Sequence, residues 1–311
     1  MSEQPALPFK LRALQLGFRA LRGLSQDLTF RGAERLFCTP KRHRIPEAER
    51  PITRTGHSFE LVSGGLKVRG YAWGEGPRVV LLHGWEGRGS QLHAFVRPLM
   101  DAGFSVLALD APGHGRSEGR TSGPLDFARA LETLTREAGP IHAVVAHSLG
   151  SVATTFALDE GLRLSRLVLI SPPATPSHFY TALLAMLGFP ENAFQPALDA
   201  FAARIGFDWG RVDLKTVATR MRVPMLLIHD RGDRETPWEE GAAVAQAWPG
   251  AELVSTEGLG HRRILKDEAV VAKAVAFLRI SAPAEVPAGR LQDFGPRSLE
   301  QHLFRRDLRF A

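Results

Sequence analysis

Three residues in this chain have the chemistry and the setting of a nucleophilic relay. The stretch HAVVAHSLGSVATTFAL passes from an apolar run into a helical pattern and places Ser148 at the junction, within Ala146-His147-Ser148-Leu149-Gly150. A serine hydroxyl is a weak nucleophile at neutral pH, so it needs a base within hydrogen-bond reach and a carboxylate to orient that base. Candidates for both follow in the chain. After the apolar run VPMLLIHD comes RGDRETPW, with Asp233 just past a strand end and Asp230 three residues before it; TEGLGHRRIL then sets His261 in a glycine-rich loop after AELVST. The implied chemistry is acyl transfer, with Ser148 attacking a carbonyl carbon and His261 carrying the proton. The pentapeptide is close to G-x-S-x-G, whose sharp turn demands small residues two positions either side of the serine. Ala146 stands where the first glycine is usual. Taken alone, Ser148 could equally be a helix N-cap.

A second glycine-rich stretch, VVLLHGWEGRGSQ (79–91), could cradle a phosphate or a developing oxyanion. Gly84 and Gly89 have the spacing of a P-loop, but Ser90-Gln91 stand where Lys and Ser/Thr are required. A dinucleotide fingerprint also fails, because the glycines fall as G-x-x-G-x-G. Both phosphate readings are set aside.

These loops must be positioned by the elements around them. PRVVLLHG, FSVLALD (104–110), HAVVAH (142–147), RLVLIS (166–171) and VPMLLIHD (223–230) are short and apolar on both faces, which suits parallel strands covered by helices. SFELVSGGLKVRGYAW reads as a hairpin around Gly64-Gly65. Helical stretches such as 125–139 and 267–280 alternate with the strands, so the class is α/β with a doubly wound, mostly parallel sheet. One connection is too long for that pattern: about fifty residues of helical texture separate Ser171 from Val223. Residues 177–222 are therefore expected to be an inserted helical cap, dividing the core into 55–176 and 223–280. Residues 281–311 read as a linker and a short basic tail of no legible role.

The chain of 311 residues carries a net charge of +6, and residues 1–54 alone hold 11 Lys/Arg against 5 Asp/Glu. The centre of the chain is electrically ordinary, so the charge does not indicate nucleic acid. The basic arm contains LRALQLGFRALRGL, with Leu11, Leu14, Phe18 and Leu21 at helical spacing, so an amphipathic helix is expected that packs on the body or, less commonly for such helices, lies on a membrane surface. TPKRHRIPEAERP (39–51) reads as an extended connector. No apolar run is long enough to span a bilayer, and Cys38 is the single cysteine, compatible with a cytoplasmic location.

As a set, LLHGW, LDAPGHGRS (109–117), AHSLG, LIHDRGDRETP and LGHRRIL resemble the α/β-hydrolase superfamily over roughly residues 57–280. The resemblance implies that fold, with a nucleophile, acid and base in the chain order Ser148, Asp233, His261. Asp233 is preferred over Asp230 because the family's loop has glycine where Asp230 stands. It further implies that the backbone N–H groups of Trp85 and Leu149 form the oxyanion hole, so the 79–91 loop would hold an oxyanion. Trp85, Phe179, Leu183, Leu184 and Leu187 are expected to line the substrate pocket. His83 and His147 should orient loops, while Asp110, His114 and Arg116 fix a turn. A metal site at His114 lacks partners, so no metal or cofactor is expected. A serine at the elbow argues against haloalkane dehalogenases and epoxide hydrolases, which use aspartate there. The expected activity is hydrolysis of small to medium acyl esters through an acyl-enzyme, with a small-molecule ester as partner. Thioesterase, acyltransferase, carbon–carbon hydrolase and non-catalytic binding remain alternatives, and oligomeric state is open.

Overall fold

The computed structural model describes residues 9–279; the tail expected at 281–311 lies outside the described residues. Eight strands form one sheet: β1 (His57–Ser63), β2 (Leu66–Trp73), β3 (Arg78–Leu82), β4 (Ser105–Asp110), β5 (Ile141–His147), β6 (Arg166–Ile170), β7 (Met225–Asp230) and β8 (Glu252–Thr256). Their order is β1-β2-β4-β3-β5-β6-β7-β8. The β1–β2 and β2–β4 pairs are antiparallel and the remainder parallel. Gly64 and Gly65 close the hairpin with φ of 57° and 76°, the left-handed pair that a two-residue turn needs to match strand twist.

The helices are, in order, α1 (Phe9–Leu24), α2 (Gln26–Phe37), α3 (Arg50–Thr55) and α4 (His93–Asp101). Next come α5 (Pro124–Ala138), α6 (Leu149–Asp159), α7 (Ser177–Met186) and α8 (Phe194–Ile205). The last four are α9 (Leu214–Ala218), α10 (Trp238–Ala247), α11 (Gly260–Arg263) and α12 (Glu268–Arg279). The connector is less extended than its composition implies. A 3₁₀ turn at Glu47–Glu49 leads directly into α3, where Pro51 sits at the start of the helix and its missing N–H is no loss.

Strand side chains alternate between two apolar cores. Val80, Leu82, Val144, Ala146, Leu167, Leu169 and Leu227 face α5, α6, α9 and α10. Val79, Leu81, Ala143, Val145, Val168, Ile170 and Ile228 face α4 and α12. These strand side chains are fully buried on both faces, which is why the runs carry no polar alternation. The strand order reverses direction around β3, so the loops after β3 and β5 leave the sheet side by side, the usual place for a crevice in such sheets.

A third apolar cluster lies above the carboxyl ends of the strands. It joins Phe30 and Ala33 of α2 to Tyr180 and Leu184 of α7, Leu187 and Phe189 after it, and Ala197 and Phe201 of α8. Rings meet at 5.1 Å between Phe37 and Tyr180, 5.2 Å between Tyr180 and Phe201, and 5.8 Å between Phe18 and Phe189. Arg204 of α8 closes the assembly with 2.7 Å and 2.8 Å contacts to Glu34 and Asp27 of α2. The roof is thus composite, built from the N-terminal arm and the insertion together. The stretch expected to be wholly cap divides: Phe207, Val212, Leu214, Val217, Ala218 and Met221 belong to the main core beneath it.

Candidate active site

Ser148 follows β5 directly and opens α6, with φ 50° and ψ −119°. A non-glycine residue held there stores about 1–3 kcal/mol of strain. The turn is pinned from several sides. The Ser148 N–H donates to the Ile170 carbonyl of β6 at 3.0 Å, and a Cβ at Gly150 would lie 2.6 Å from the carbonyl oxygen of His83. The Ser148 side chain makes no capping bond to its helix. This removes the N-cap reading and leaves the hydroxyl to the cavity that Ser148 lines.

The acid and base loops converge on the same cavity. His261 Nδ1 donates to Asp233 Oδ2 at 2.7 Å, while Asp233 Oδ1 accepts from the N–H groups of Glu235 and Thr236, both at 2.9 Å. Burial opposes the ionised form of Asp233. Bonds from His229, His261 and the Thr236 N–H outweigh it and hold the carboxyl well below the usual carboxylate range. The histidine is therefore oriented by an anion that persists into acid.

Asp230 has a different task. Its Oδ2 accepts from Thr256 Oγ1 at 2.8 Å and the Leu259 N–H at 2.9 Å, clipping the end of β7 to the loop that carries His261. Burial works against its charge, but these bonds and those from the Gly260 and Gly232 N–H groups keep its pKa low. Its bonds go to Gly232, Thr256 and Leu259 and none to His261, so the acid beside the imidazole is Asp233, as preferred from the sequence.

His147 connects the two halves. Its Nε2 donates to the His261 carbonyl at 2.9 Å, with the rings 4.6 Å apart. Burial drives its pKa far down, so a neutral ring ties the residue before Ser148 to the backbone of the base.

The loop after β3 runs against the serine: a Cβ at Gly84 would sit 2.8 Å from Ser148 Cβ. Burial pushes His83 down to about 4. As a neutral ring it donates from Nδ1 to the Gly84 carbonyl at 2.7 Å and accepts the Ala111 N–H on Nε2 at 3.0 Å. Asp110 accepts the N–H groups of Gly89 at 2.7 Å and Arg116 at 2.9 Å, joining this loop to the DAPGHGRS turn. Trp85 lines the cavity beside Ser148. Leu149 is the first residue of α6, where N–H groups lack intrahelical acceptors. Both residues named for an oxyanion hole thus border the serine.

The cavity has a volume of about 1080 Å³. Phe179 and Leu183 line it as expected, but Leu184 and Leu187 do not: they are 0% and 1% exposed within the third cluster. The reason is helical phase. Tyr180 and Leu184 on α7, with Leu187 just after it, form one row within the third cluster, whereas Phe179, Leu183 and Met186, one residue earlier, form the row turned to the cavity. Leu14 and Phe37 from the arm complete the wall with Phe201, Ile205 and Trp209.

Sequence reasoning passed over three groups. His229 Nε2 lies 3.4 Å from Asp233 Oδ2 and 3.0 Å from the Thr236 carbonyl; it sits at the end of a strand, where its spacing from Asp233 gave no sequence signal of this contact. Gly241 makes room for it, since a Cβ there would fall 2.1 Å from His229 Nδ1. Glu49, in the connector, is 2% exposed and grips Arg88 with both oxygens while accepting from Ser90 Oγ at 2.7 Å. The arm is therefore tied to the Gly84–Gly89 loop. Among the described residues, no cluster of His, Cys, Asp or Glu could hold a metal ion.

Comparison with known proteins gives this geometry a context. The chain is 37% identical over 113 residues to the dihydrolipoyllysine-residue acetyltransferase component of the acetoin cleaving system of Cupriavidus necator, covering 35% of this chain and 30% of that one. It is 30% identical over 177 residues to a pimeloyl-[acyl-carrier protein] methyl ester esterase of Edwardsiella ictaluri, covering 51% and 66%. The chain thus spans under two thirds of the length of either relative. A solved esterase of Pyrococcus furiosus superposes with a TM-score of 0.58 at 20% identity, over 78% of this chain and 96% of that one. The sequence profile of the alpha/beta hydrolase family matches residues 79–274. That match runs from β3 into α12 and takes in Ser148, Asp233 and His261, and the chain belongs to the alpha/beta hydrolase family.

Proposed function

We propose that the protein is a serine hydrolase that cleaves carboxylic esters of small to medium acyl chains through an acyl-enzyme. The observation that carries this reading is the 2.7 Å bond from His261 Nδ1 to Asp233, on a cavity shared with a serine whose hydroxyl does not cap its helix. In this mechanism Ser148 Oγ attacks the ester carbon as His261 Nε2 takes its proton. The oxyanion forms toward the N–H groups of Trp85 and Leu149, and such donors are each worth about 2.7–4 kcal/mol in the transition state. The tetrahedral intermediate collapses, the C–O bond breaks, and His261 returns the proton to the leaving alcohol. Water then repeats the sequence on the acyl-serine. Asp233 keeps the imidazole in the tautomer that accepts at Nε2. A cavity slightly above the usual range for small-ligand sites suits chains longer than acetyl. The esterase relatives and structural neighbours lend the reading support.

Thioester hydrolysis is the second reading. It is favoured by Lys41, Arg44 and Lys266 on the cavity wall, which suit a leaving thiol that carries negative charge. Matched esters and thioesters with anionic leaving groups separate the two.

The test is hydrolysis of nitrophenyl esters across a ladder of acyl lengths by the parent and Ser148→Ala. Turnover should fall by about 10³-fold or more in the variant, with an optimum at medium chain length in the parent. Equal turnover by a folded Ser148→Ala protein would overturn the assignment. Labelling of Ser148 by a fluorophosphonate without turnover of any ester would redirect it to thioesters.

A further inference from the structure

Helix α1 has two apolar faces. Leu11, Phe18 and Leu21 are half-buried on the side that meets Gly32 of α2 and Phe189, and Leu14 lines the cavity. At 3.6 residues per turn, Phe9, Ala13, Leu16, Ala20 and Leu24 fall within about 80° of arc on the opposite side, and all five are exposed. Phe9, Leu16 and Leu24 are 85%, 65% and 83% exposed. Ten large hydrophobic side chains are exposed among the described residues, and eight of them lie on α1, α2 and α7. Apolar exposure is thus concentrated on the roof of the site instead of being scattered, and such concentration marks an interaction surface.

The charge beside the outer stripe indicates the partner. Arg12 and Arg19 border it on one side and Lys10 on the other, all exposed. α1 contains no acidic residue. An apolar stripe edged by cations matches a bilayer interface, where the stripe enters the acyl boundary and the cations meet anionic headgroups. No described helix is long and apolar enough to cross a membrane, so the contact would be parallel to the surface. We propose that the outer face of α1 docks the protein on an anionic lipid surface. The helix that roofs the cavity from within would then rest on the bilayer from without, placing the site beside membrane-dissolved amphiphiles. Docking does not depend on the esterase reading.

Flotation of the full chain at low salt tests it, using vesicles of mixed phosphatidylglycerol and phosphatidylcholine against phosphatidylcholine alone. The parent should float with the anionic vesicles only and release in high salt. Leu16→Glu with Leu24→Glu should lower partitioning by about tenfold or more, as should Arg12→Glu with Arg19→Glu, with melting temperature and turnover of a short soluble ester unchanged. Val62→Glu, an exposed apolar residue on β1, should bind vesicles like the parent. The proposal is overturned if the parent fails to float. It is equally overturned if Leu16→Glu with Leu24→Glu floats like the parent, or if that pair splits a dimer while vesicle binding is absent throughout. Binding that emerges only after removal of residues 281–311 would also overturn it, by assigning the stripe to the tail.

Discussion

At the carboxyl edge of the sheet, the candidate site residues are held by short hydrogen bonds, some within one loop and others, such as His147 to the His261 carbonyl, between separate loops. Examples are Asp233 on the N–H groups of Glu235 and Thr236, Asp230 on that of Leu259, and His83 on the Gly84 carbonyl. The roof above is held by aromatic faces and by the Arg204–Glu34 pair, whose members lie 170 residues apart in the chain. The comparison teaches that catalytic geometry and pocket shape are specified by different parts of the sequence. Polar geometry demands a specific partner atom for each buried group, and an error is punished by an unsatisfied buried group. Apolar packing tolerates many residues at each position, so it carries little local signature.

The sharpest break falls on the polar side. Asp233→Asn should keep the fold, because the backbone bonds to Oδ1 survive, yet lower kcat by about 10⁴-fold through loss of the anion facing His261. A loss below about tenfold in steady-state kinetics would mean that the imidazole is oriented otherwise.

Glu49→Gln tests the joint between the regions. Removing the charge frees Arg88 and loosens the loop at Gly84–Gly89, so kcat should fall about 10- to 100-fold with KM little changed. Glu49→Asp should restore part of the loss. A change confined to melting temperature would limit Glu49 to a structural role.

The roof should respond differently. Arg204→Met leaves Glu34, 1% exposed, without its cation and should destabilise the protein by about 3 kcal/mol in chemical denaturation. Because the cap shapes only the pocket, preference between long and short esters should collapse while short-ester kcat holds. The double variant with Glu34→Met should recover much of the stability.

The smallest effect lies on the half-buried face of α5. Burial, followed by repulsion from Glu160, pushes the Glu132 carboxyl on α5 up to about 7, from an ordinary value of 4.5. The folded state therefore binds this proton more tightly than the unfolded one. The resulting stability is full below pH 4.5 and is lost as pH rises through about 7. Glu132→Gln should raise the melting temperature above pH 7 by the equivalent of about 1 kcal/mol after solvent screening, and by nothing near pH 4.5. A pH-independent gain would place the effect in packing.

The strands, the hairpin and the relay were legible because each rests on a short-range constraint. A parallel strand covered on both faces must be apolar throughout, as VVLL and MLLI are. The elbow needs small residues around Ser148, and the acid and base loops must follow strand ends. The family profile and the sheet agree with the strand and fold-class part of the reading. Less legible was α7, where nearly every face is apolar. SHFYTALLAM does not state which row meets α2, and Leu184 and Leu187 were assigned to the pocket for that reason. Nor did the connector announce Glu49, one of two acids in PEAER until the Gly84–Gly89 loop is folded against it.

By itself, the sequence determined the fold class, the strand set and the loops that bear Ser148, Asp233 and His261, because backbone sterics and the alternation of side chains act within a few residues. The tertiary structure alone decided that the arm roofs the cavity, that one row of α7 faces substrate space and its neighbour faces α2, and that Glu49 grips Arg88. Those outcomes depend on which apolar faces and buried charges meet across long stretches of chain, and burial has no direction until a partner surface supplies one.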